Sequence, residues 1–398
     1  MSKARRHVAV ITSSRADYSH LHWVLREMQG SPRIMLSLIV CGSHLSDTFG
    51  ETIREIEADG FEVTARVPCL ASGDDDVAMA RTVGDAVLGL AEVLGELRPD
   101  LLLLIADRYE MLAPAAVATT LRIPIAHIEG GEVSQGAIDD PVRNALTKLS
   151  HLHFTPTPLA RRRVLRMGEE SWRVRCTGAP SLDHLTRSEL PAGEALAEAL
   201  GFTPTEQHVV VAVHSLTLAR DTLREADATF AALRRLVEQA VCQLVFCFPN
   251  ADAGGQALIT RAGALQAEYG APRVHLRVNL NPRVYWAMLA RVGCLLGNSS
   301  SGIMEAPALG LPAVNVGERQ AGRERARNII DVPAEAERIV GAVQEALSDR
   351  FRASLVGMEN PYGDGQAAVR IVRALEDVPL GEALLRKSPV PPIDLEES

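Results

Sequence analysis

The chain is poor in aromatic residues, which make up only 4% of its 398 residues. Burial must therefore rest on Ala, Val, Leu and Ile, within a hydrophobic fraction of 47%. A charged fraction of 23% completes a balance that is typical of globular rather than disordered proteins. At this length two domains are expected, because single hydrophobic cores stop growing near about 250–300 residues.

The chain has no excess of positive charge: its formal net charge is −9 and its pI is near 5.7. This argues against nucleic acid or an anionic membrane as the main partner, although a local arginine cluster can still bind a small anion. Apolar runs such as Leu101–Ala106 are far too short to span a bilayer. We expect no secretory leader at Met1–His7. The six cysteines form no CxxC pair and are expected to be reduced, as in a cytoplasmic protein.

Several motifs of nucleotide and hydrolase chemistry are absent. No GxxxxGK[ST] occurs, which excludes a P-loop protein, and no GxGxxG follows the first predicted strand, which argues against a nicotinamide or flavin cofactor. A GxSxG elbow is also missing, which disfavours serine-hydrolase chemistry. The sequence therefore predicts no cofactor.

Short apolar runs alternate with amphipathic helical stretches such as Asp76–Glu96 and Met111–Leu121. This alternation predicts parallel sheets with right-handed crossovers, and hence an α/β fold of two doubly wound domains. The predicted strands are Val8–Thr12, Met35–Cys41, Glu62–Val67, Leu101–Ala106, Ile125–Ile128, His153–Thr155, Val174–Thr177, Val209–Val213, Leu244–Phe248, Val274–Val278, Cys294–Leu296 and Ala313–Val316.

The stretch Gly297–Glu305 is the most informative part of the chain. The apolar run Cys294–Leu296 leads into it, and a helical pattern, Ile303–Leu309, leads out. A strand, a serine-rich turn and a helix start are therefore predicted, and free backbone N–H groups at a helix start bind phosphate or pyrophosphate. Ordinary helix capping is the alternative, but three serines and two glycines exceed what a cap needs.

Two polar clusters follow predicted strands in the first half. The turn Thr12–Tyr18 combines serines with Arg15, whose guanidinium can bind oxyanions, and a helix cap with a surface arginine explains it equally well. Asp107 directly follows the apolar run Leu101–Ile105, where a carboxylate is costly to desolvate unless it is paired or used in proton transfer. Capping of the next helix is the alternative role of Asp107.

The richest cluster is a glycine-opened loop with four acidic residues, followed by a helix that carries Arg143. Its acids are Glu129, Glu132, Asp139 and Asp140. Clustered carboxylates beside an arginine suit acid–base chemistry, because like charges force their pKa values apart. A metal site is the rival interpretation. The soft ligands typical of zinc are missing and the acids lack EF-hand spacing, so no metal is expected.

Polar residues follow predicted strands in the second half as well. His214 could donate to a leaving phosphate oxygen, although a lone histidine is usually structural. Asn250 lies in a stretch that also fits a simple turn. Arg319 and Arg323, four residues apart, are candidate phosphate ligands near the serine turn, and an exposed charged loop is their alternative.

Taken in order, these motifs resemble the hydrolysing UDP-N-acetylglucosamine 2-epimerases, which open sialic-acid-type sugar pathways. The resemblance extends over roughly residues 8–375. It is carried by Ser14–Tyr18, Asp107–Glu110, His127–Glu132 through Ile138–Asp140, Leu146–His151, Gly178–Asp183, Gly297–Pro307 and Gly317–Arg323.

The resemblance implies a glycosyltransferase-B-like fold, in which two Rossmann-like doubly wound domains face a cleft, and a homodimer or homotetramer. It also implies a UDP-sugar substrate and no redox cofactor. UDP would be eliminated across C1–C2 to give a glycal-like intermediate, water would add at C1, and C2 would be reprotonated on its other face. The expected products are UDP and N-acetylmannosamine.

The expected domains follow from this fold. Residues 1–187 would form an N-terminal domain with the catalytic acids, and residues 205–364 a C-terminal domain that binds UDP. A helix at 365–380 would cross back to the N-terminal domain, and a loose tail would occupy 387–398. The join, Ser188–Thr205, contains Pro191, Gly201 and Pro204 around a short helical piece.

Roles for individual residues also follow from the resemblance. Asp107, Glu129 and Asp139 would transfer protons. Arg143 would orient them, and His214 would contact the phosphate or act as an acid. Arg15 and Arg323 would hold the diphosphate, and Glu305 would accept hydrogen bonds from the ribose. The other expected substrate- and UDP-binding residues are Asp17, Glu132, Asn250, Asn298, Ser299, Ser300, Ser301, Gly302, Arg319 and Gln320.

The chain departs from the usual pattern of the family at several positions. Ala106 stands where a glycine is usual, Ser13–Ser14 replaces Gly-Thr, Asn144 replaces a histidine and Ser215 replaces a proline. These differences leave the sugar open, because a related branch acts on UDP-2,4-diacetamido-trideoxy sugars and another branch does not hydrolyse its substrate. A glycosyltransferase on the same fold and a non-catalytic nucleotide-sugar sensor are two rival functions.

Overall fold

The computed structural model describes residues 5–73, 75–134, 138–214, 224–247, 255–277 and 280–388. The strands are β1 Arg6–Thr12, β2 Ile34–Cys41, β3 Val63–Val67, β4 Leu101–Ile105, β5 Ile125–Ile128, β6 Leu152–Thr155, β7 Val174–Cys176, β8 His208–Ala212, β9 Gln243–Cys247, β10 Val274–Arg277, β11 Cys294–Gly297, β12 Ala313–Val316 and β13 Ile329–Val332. Every strand predicted from an apolar run is present, with small differences at the described ends. Phe248 and Val278, the predicted last residues of two strands, lie outside the described residues. Strand β13 is not predicted, because it is short and half exposed.

Helices follow most of the strands, as the alternating pattern predicts. The helices are α1 Arg15–Gly30, α2 Ile53–Ala58, α3 Asp76–Leu97, α4 Leu112–Leu121, α5 Asp139–Leu149, α6 Pro158–Arg166, α7 Asp183–Arg187, α8 Gly193–Leu200, α9 Arg224–Glu238, α10 Gly255–Tyr269, α11 Pro282–Leu289, α12 Ser301–Met304, α13 Ala336–Ala346, α14 Asp349–Ser354, α15 Ala367–Asp377 and α16 Glu382–Leu385. None of these helices is long and apolar enough to cross a membrane, as far as the described residues show.

The described strands form two sheets. The first sheet has the order β3-β2-β1-β4-β5-β6-β7 and the second the order β10-β9-β8-β11-β12-β13, and all paired strands are parallel. Strand order therefore reverses between β1 and β4 in the first sheet, and between β8 and β11 in the second. In doubly wound folds, ligands bind at the carboxyl ends of the strands at such reversal points.

The chain divides into two compact units. The first contains Met1–Glu132, Asp139–Pro180 and Gln366–Ser398, and the second contains Val133–Ile138 and Ser181–Gly365. Each unit has two buried apolar clusters, one on each face of its sheet. In the first unit, helix α15 packs against α1 and adds buried side chains such as Ile371 and Leu375 to the core.

One expectation about local structure is wrong. The continuous helix predicted over Ile303–Leu309 is instead the short helix α12 followed by a 3₁₀ turn at Ala306–Leu309, with Pro307 at its start. Proline lacks the N–H that a continuing helix needs. Of the tail predicted at 387–398, only Lys387 and Ser388 lie within the described residues, and the Lys387 ammonium donates to the backbone oxygens of Lys148 and Ser150 at 2.9 Å each.

Candidate active site

The turn after β1 lies at the reversal point of the first sheet and begins helix α1. Ser14 caps the helix, since its hydroxyl accepts from the Asp17 N–H at 3.4 Å. The buried Asp17 carboxylate accepts in return from the Ser13 N–H and hydroxyl, at 3.1 and 2.7 Å. These contacts give Asp17 a structural role in shaping the turn. Arg15 lies in the first helical turn and is half buried.

Asp107 lies just after β4, on the other side of the same reversal point. Its carboxylate accepts a hydrogen bond from Arg143, which lies on α5 with its side chain 3% exposed. Asp140, one helical turn before Arg143, has its carboxylate 3.9 Å from the second guanidinium nitrogen. The structure therefore brings Asp107 and Arg143 together, as the sequence predicts, and adds Asp140 beside them.

The backbone before Asp107 is fixed by a buried histidine. Ala106 has a left-handed backbone with φ of +58°. Its carbonyl oxygen accepts from His127 Nε2 at 2.8 Å. Burial lowers the pKa of His127 to about 4, so at neutral pH the imidazole is neutral and keeps this donor in place. His127 is not among the predicted site residues, and its inward position in the middle of a buried strand explains why.

Glu129 follows β5, the neighbouring strand, and also has a left-handed backbone, with φ of +67°. The carboxylate is 2.8 Å from His20 Nδ1, and side-chain exposure is 8% for Glu129 and 24% for His20. Because Ala106 N–H donates to Ile128 O at 3.0 Å, the ends of β4 and β5 lie side by side. Asp107 and Glu129 thus leave the sheet at adjacent positions.

His20 is a site residue that the sequence interpretation missed. It lies on α1, in the second turn after the Ser14 cap, so the helix that begins at the predicted phosphate turn brings it to the same edge of the sheet. Helical periodicity counted from Arg15 could have suggested that His20 lies near this turn. Only the folded structure shows that His20 pairs with Glu129.

Two other predicted site residues follow Glu129 in the chain: Glu132 is buried after β5, and Asp139 begins α5.

The reversal point of the second sheet carries the predicted UDP-binding residues. His214 follows β8, whereas Asn298 and Ser299–Ser301 follow β11, and Gly302 is buried in α12. Arg319 and Gln320, in the loop after β12, both donate to the Asn298 carbonyl, at 3.1 and 2.8 Å. These residues lie together at one edge of the sheet. Asn250 and Ser215 lie outside the described residues.

Glu305 and Arg323 contact neighbouring groups of the second unit. The Glu305 carboxylate is buried and accepts from the Ser181 hydroxyl. The Arg323 guanidinium donates to the Val133 carbonyl at 2.7 Å and to the Ser134 hydroxyl at 3.2 Å. Ser181 belongs to one of the resembling motifs but is not among the predicted site residues. Arg323 thereby fixes the start of the loop that follows Glu132.

The charges of the first unit suit proton transfer, since two carboxylates leave adjacent strands and each has a basic neighbour. Within the described ranges no cluster of three His, Cys, Asp or Glu side chains could hold a metal ion. The second unit offers serine hydroxyls and Arg319 at the edge of its sheet, which are donors that a phosphate group requires. The first unit thus carries acids, and the second carries donors for an anion.

Comparison with known proteins establishes the family. A family model described as UDP-N-acetylglucosamine 2-epimerase matches residues 26–376, so the chain belongs to this family. The chain is 34% identical to the UDP-N,N'-diacetylbacillosamine 2-epimerase (hydrolyzing) of Legionella pneumophila, over 96% of this chain and 98% of that protein. It is 32% identical to the GDP/UDP-N,N'-diacetylbacillosamine 2-epimerase (hydrolyzing) of Campylobacter jejuni, over 82% of this chain and 84% of that protein.

A solved structure confirms the fold class. The UDP-GlcNAc 2-epimerase of Methanocaldococcus jannaschii, in complex with UDP-GlcNAc and UDP, superposes with a TM-score of 0.79 at 19% identity, covering 93% of this chain and 99% of that one. The prediction of two parallel α/β domains of the glycosyltransferase-B-like class is therefore confirmed.

Proposed function

We propose that this protein is a hydrolysing 2-epimerase of UDP-2,4-diacetamido-2,4,6-trideoxyglucose, the sugar nucleotide also called UDP-N,N'-diacetylbacillosamine. Similarity over nearly the whole chain to the Legionella enzyme that carries this activity in its name supports the proposal. The Campylobacter relative, with a matching name, supports it further. The sequence alone leaves two substrates open, UDP-N-acetylglucosamine and a UDP-2,4-diacetamido-trideoxy sugar. The proposal selects the second.

The reaction consists of an elimination followed by a hydration. A base removes the C2 proton, the electron pair forms a C1=C2 double bond, and the C1–O bond to UDP breaks. A proton then adds to the opposite face of C2, and water supplies hydroxide to C1. One UDP-sugar and one water give UDP and a free 2-epimeric sugar, with no change in redox state.

Asp107 and Glu129 are the proposed proton-transfer groups, because their carboxylates leave adjacent strand ends. Arg143 orients Asp107, and His20 hydrogen-bonds Glu129, so the two acids have different environments. Different environments allow two carboxylates to hold different protonation states, which an acid–base pair requires. Asp139, at the start of α5, is the third candidate.

The second unit is proposed to bind UDP. The Ser299–Ser301 turn and Arg319 would contact the diphosphate, and negative charge that develops on the leaving oxygen would be stabilised by such donors. Glu305 would accept from the ribose, and His214 would contact the phosphate. Arg15, in the first unit, remains a proposed phosphate ligand. Arg323 supports the loop after Glu132 through Val133 and Ser134, a role that suits positioning better than ligand binding.

UDP-N-acetylglucosamine is the second candidate substrate, supported by the description of the family model. The product would then be N-acetylmannosamine, the starting sugar of a sialic-acid-type pathway. A 4-acetamido group gives the enzyme an amide to hydrogen-bond, and a site built for such a group discriminates by about 10⁴-fold against a substrate that lacks it.

Rates of UDP release with each of the two nucleotide sugars test the choice. We expect a kcat/KM for the diacetamido substrate at least about 100-fold higher. A preference for UDP-N-acetylglucosamine would overturn the proposal. The reaction products distinguish hydrolysis from the rival functions, because a non-hydrolysing enzyme returns UDP-sugar and a glycosyltransferase needs an added acceptor. A sensor would bind the nucleotide sugar without turnover.

A further inference from the structure

The two central strands of the second sheet stay joined beyond the end of their ladder. The regular pairing of β8 with β11 ends at Ala212 and Gly297. The next residue, Asn298, donates its backbone N–H to Ala212 O at 3.2 Å. Its side-chain oxygen accepts from His214 N–H at 2.7 Å, and its side-chain nitrogen donates to His214 O at 2.9 Å.

The side chain of Asn298 therefore acts as an additional rung between the strands. A primary amide presents one donor and one acceptor side by side, which matches the N–H and C=O of a single residue in an extended strand. Gly297 allows the close approach, since a Cβ at this position would lie 2.0 Å from Ala212 O. Asn298 is 2% exposed. Both kinds of polar group in its side chain thus contact the backbone of His214.

The backbone carbonyl of Asn298 connects a third loop to the same residue. It accepts from Arg319 and Gln320, which follow β12, and Gln320 is fully buried. The segments that follow β8, β11 and β12 are consequently joined at Asn298. These segments contain the residues proposed to contact UDP.

We propose that Asn298 is a positioning residue, which holds His214 and the Arg319 loop in the geometry that binds and releases UDP, and does not itself contact the ligand. The proposal rests on the proposed function and revises the predicted role of Asn298 as a UDP ligand. Without the amide, the half-buried N–H and C=O of His214 lose their Asn298 partners, and the segment after β8 loses its link to β11. Proton transfer by the first unit does not depend on this junction.

The test compares Asn298→Ala with the matched control Asn315→Ala. Asn315 is also buried in the second unit, on the neighbouring strand β12, and its amide donates to Asp331 Oδ1 at 2.7 Å, a residue that is not proposed to bind UDP. Four quantities are measured in each variant: UDP affinity by calorimetry, hydrogen exchange of the peptide containing His214, the rate of UDP elimination, and the rate of hydration of the glycal intermediate supplied as a synthetic compound. If Asn298→Ala does not fold, Asn298→Ser replaces it.

We expect Asn298→Ala to accelerate exchange at His214, to weaken UDP binding about tenfold, and to slow elimination by about 100-fold. Hydration of the glycal should stay within about twofold of wild type, and Asn315→Ala should leave all four quantities unchanged. Equal losses in elimination and hydration would indicate general structural damage and overturn the proposal. Weaker UDP binding without faster exchange at His214 would also overturn it, because that result identifies a direct ligand contact.

Failure of the proposed function gives a different result. In that case the wild-type enzyme itself releases no UDP from the diacetamido substrate. The exchange and UDP-affinity measurements do not require turnover, so they still decide the role of Asn298.

Discussion

Two residues at the ends of adjacent strands adopt backbones that side chains disfavour. Ala106 and Glu129 both have left-handed backbones, with φ of +58° and +67°. Each non-glycine residue in this region costs about 1 kcal/mol or more. Such strain persists where the surrounding structure fixes it, and here His127 holds the Ala106 carbonyl. One strained residue is the candidate acid Glu129, and the other, Ala106, immediately precedes the candidate acid Asp107.

Replacing Ala106 with glycine should relieve this strain. Glycine adopts positive φ at no steric cost, so Ala106→Gly should raise the free energy of unfolding of the first unit by about 0.5–1 kcal/mol. Urea titration measures the change. Ala116→Gly, at an exposed position within helix α4, is the control and should destabilise by about 1 kcal/mol. A loss of stability in Ala106→Gly would show that the methyl group's packing outweighs the backbone strain.

Replacing Asp107 with asparagine should abolish turnover without unfolding the protein. The variant keeps the shape of the side chain but removes the carboxylate that Arg143 contacts. We expect kcat to fall by about 10²–10⁴-fold, the range typical for loss of a proton-transfer group. UDP-release kinetics and circular dichroism measure the two properties. Asp227→Asn, which breaks an exposed ion pair with Arg261, should retain full activity. Full activity in Asp107→Asn would remove Asp107 from the mechanism.

Residue types at strand ends could be predicted from the sequence, but their partners could not. Asp107 and Glu129 stand out because each directly follows an apolar run. The pairing of Glu129 with His20 joins residues more than a hundred positions apart, and the contact of Ser181 with Glu305 is similarly distant. Such contacts depend on how helices pack on the sheet, and no local pattern encodes that packing.

At the scale of elements, buried parallel strands are the features best predicted from the sequence. Their uniform apolar runs make β4 and β8 visible, because both faces of each strand are covered. Edge strand β13 is half exposed and lacks this signal. After the serine turn the sequence predicted more helix than the structure contains. Helical periodicity predicted a helix over Ile303–Leu309, but Pro307 interrupts it.

The C-terminal segment up to Ser388 is anchored within the first unit by the buried Arg173 and the half-buried Lys387. Arg173 donates to the carbonyls of Leu384 and Arg386 at the end of α16, at 2.7 and 2.6 Å. Lys387 contacts the buried Glu169 carboxylate at 2.7 Å. These contacts cap the last helix and hold it against the sheet. Polar anchors of this kind leave no hydrophobic pattern, so the sequence does not reveal these contacts.

Replacing Lys387 with methionine should release this anchor. The backbone oxygens of Lys148 and Ser150 lose a donor, while Glu169 keeps Lys148 and His153 as partners. We expect a loss of about 1–3 kcal/mol in the free energy of unfolding and faster proteolysis of the C-terminal segment. The neighbouring Arg386→Met, at an 81% exposed side chain, should change neither measurement. Equal effects of the two substitutions would contradict a specific role of Lys387.

At the scale of the whole molecule, the sequence predicted the number of sheets but not their strand order. Apolar runs indicate parallel strands, whereas the reversals between β1 and β4 and between β8 and β11 arise from crossovers on both faces of each sheet. The reversal points explain why the polar clusters follow particular strands. They assemble at the edges where doubly wound folds bind ligands.

Buried neutral histidines should make the protein sensitive to mild acid. Burial lowers the pKa of His127 and His151 to about 4 and that of His44 to about 3. Below pH of about 6.5 the unfolded chain therefore binds protons that the folded chain does not, and the free energy of unfolding falls as pH decreases.

Urea titrations between pH 7 and 5 measure this dependence. Each such histidine contributes up to about 1.4 kcal/mol per pH unit. His127→Gln removes one of these groups, so its stability should depend less steeply on pH. Below about pH 4.5 the loss continues, because burial of Glu169 is outweighed by hydrogen bonds from His153, Lys148 and Lys387, which lower its pKa to about 2. Constant stability from pH 7 to 5 would contradict the assignment of neutral buried imidazoles.

The central claim is hydrolysis with inversion at C2 through a glycal, and proton NMR in deuterium oxide tests it most directly. The purified protein is incubated with UDP-2,4-diacetamido-2,4,6-trideoxyglucose. The account predicts UDP together with a free 2,4-diacetamido-2,4,6-trideoxymannose that carries deuterium at C2. A free sugar that retains its C2 proton, or a UDP-sugar epimerised without hydrolysis, would contradict it.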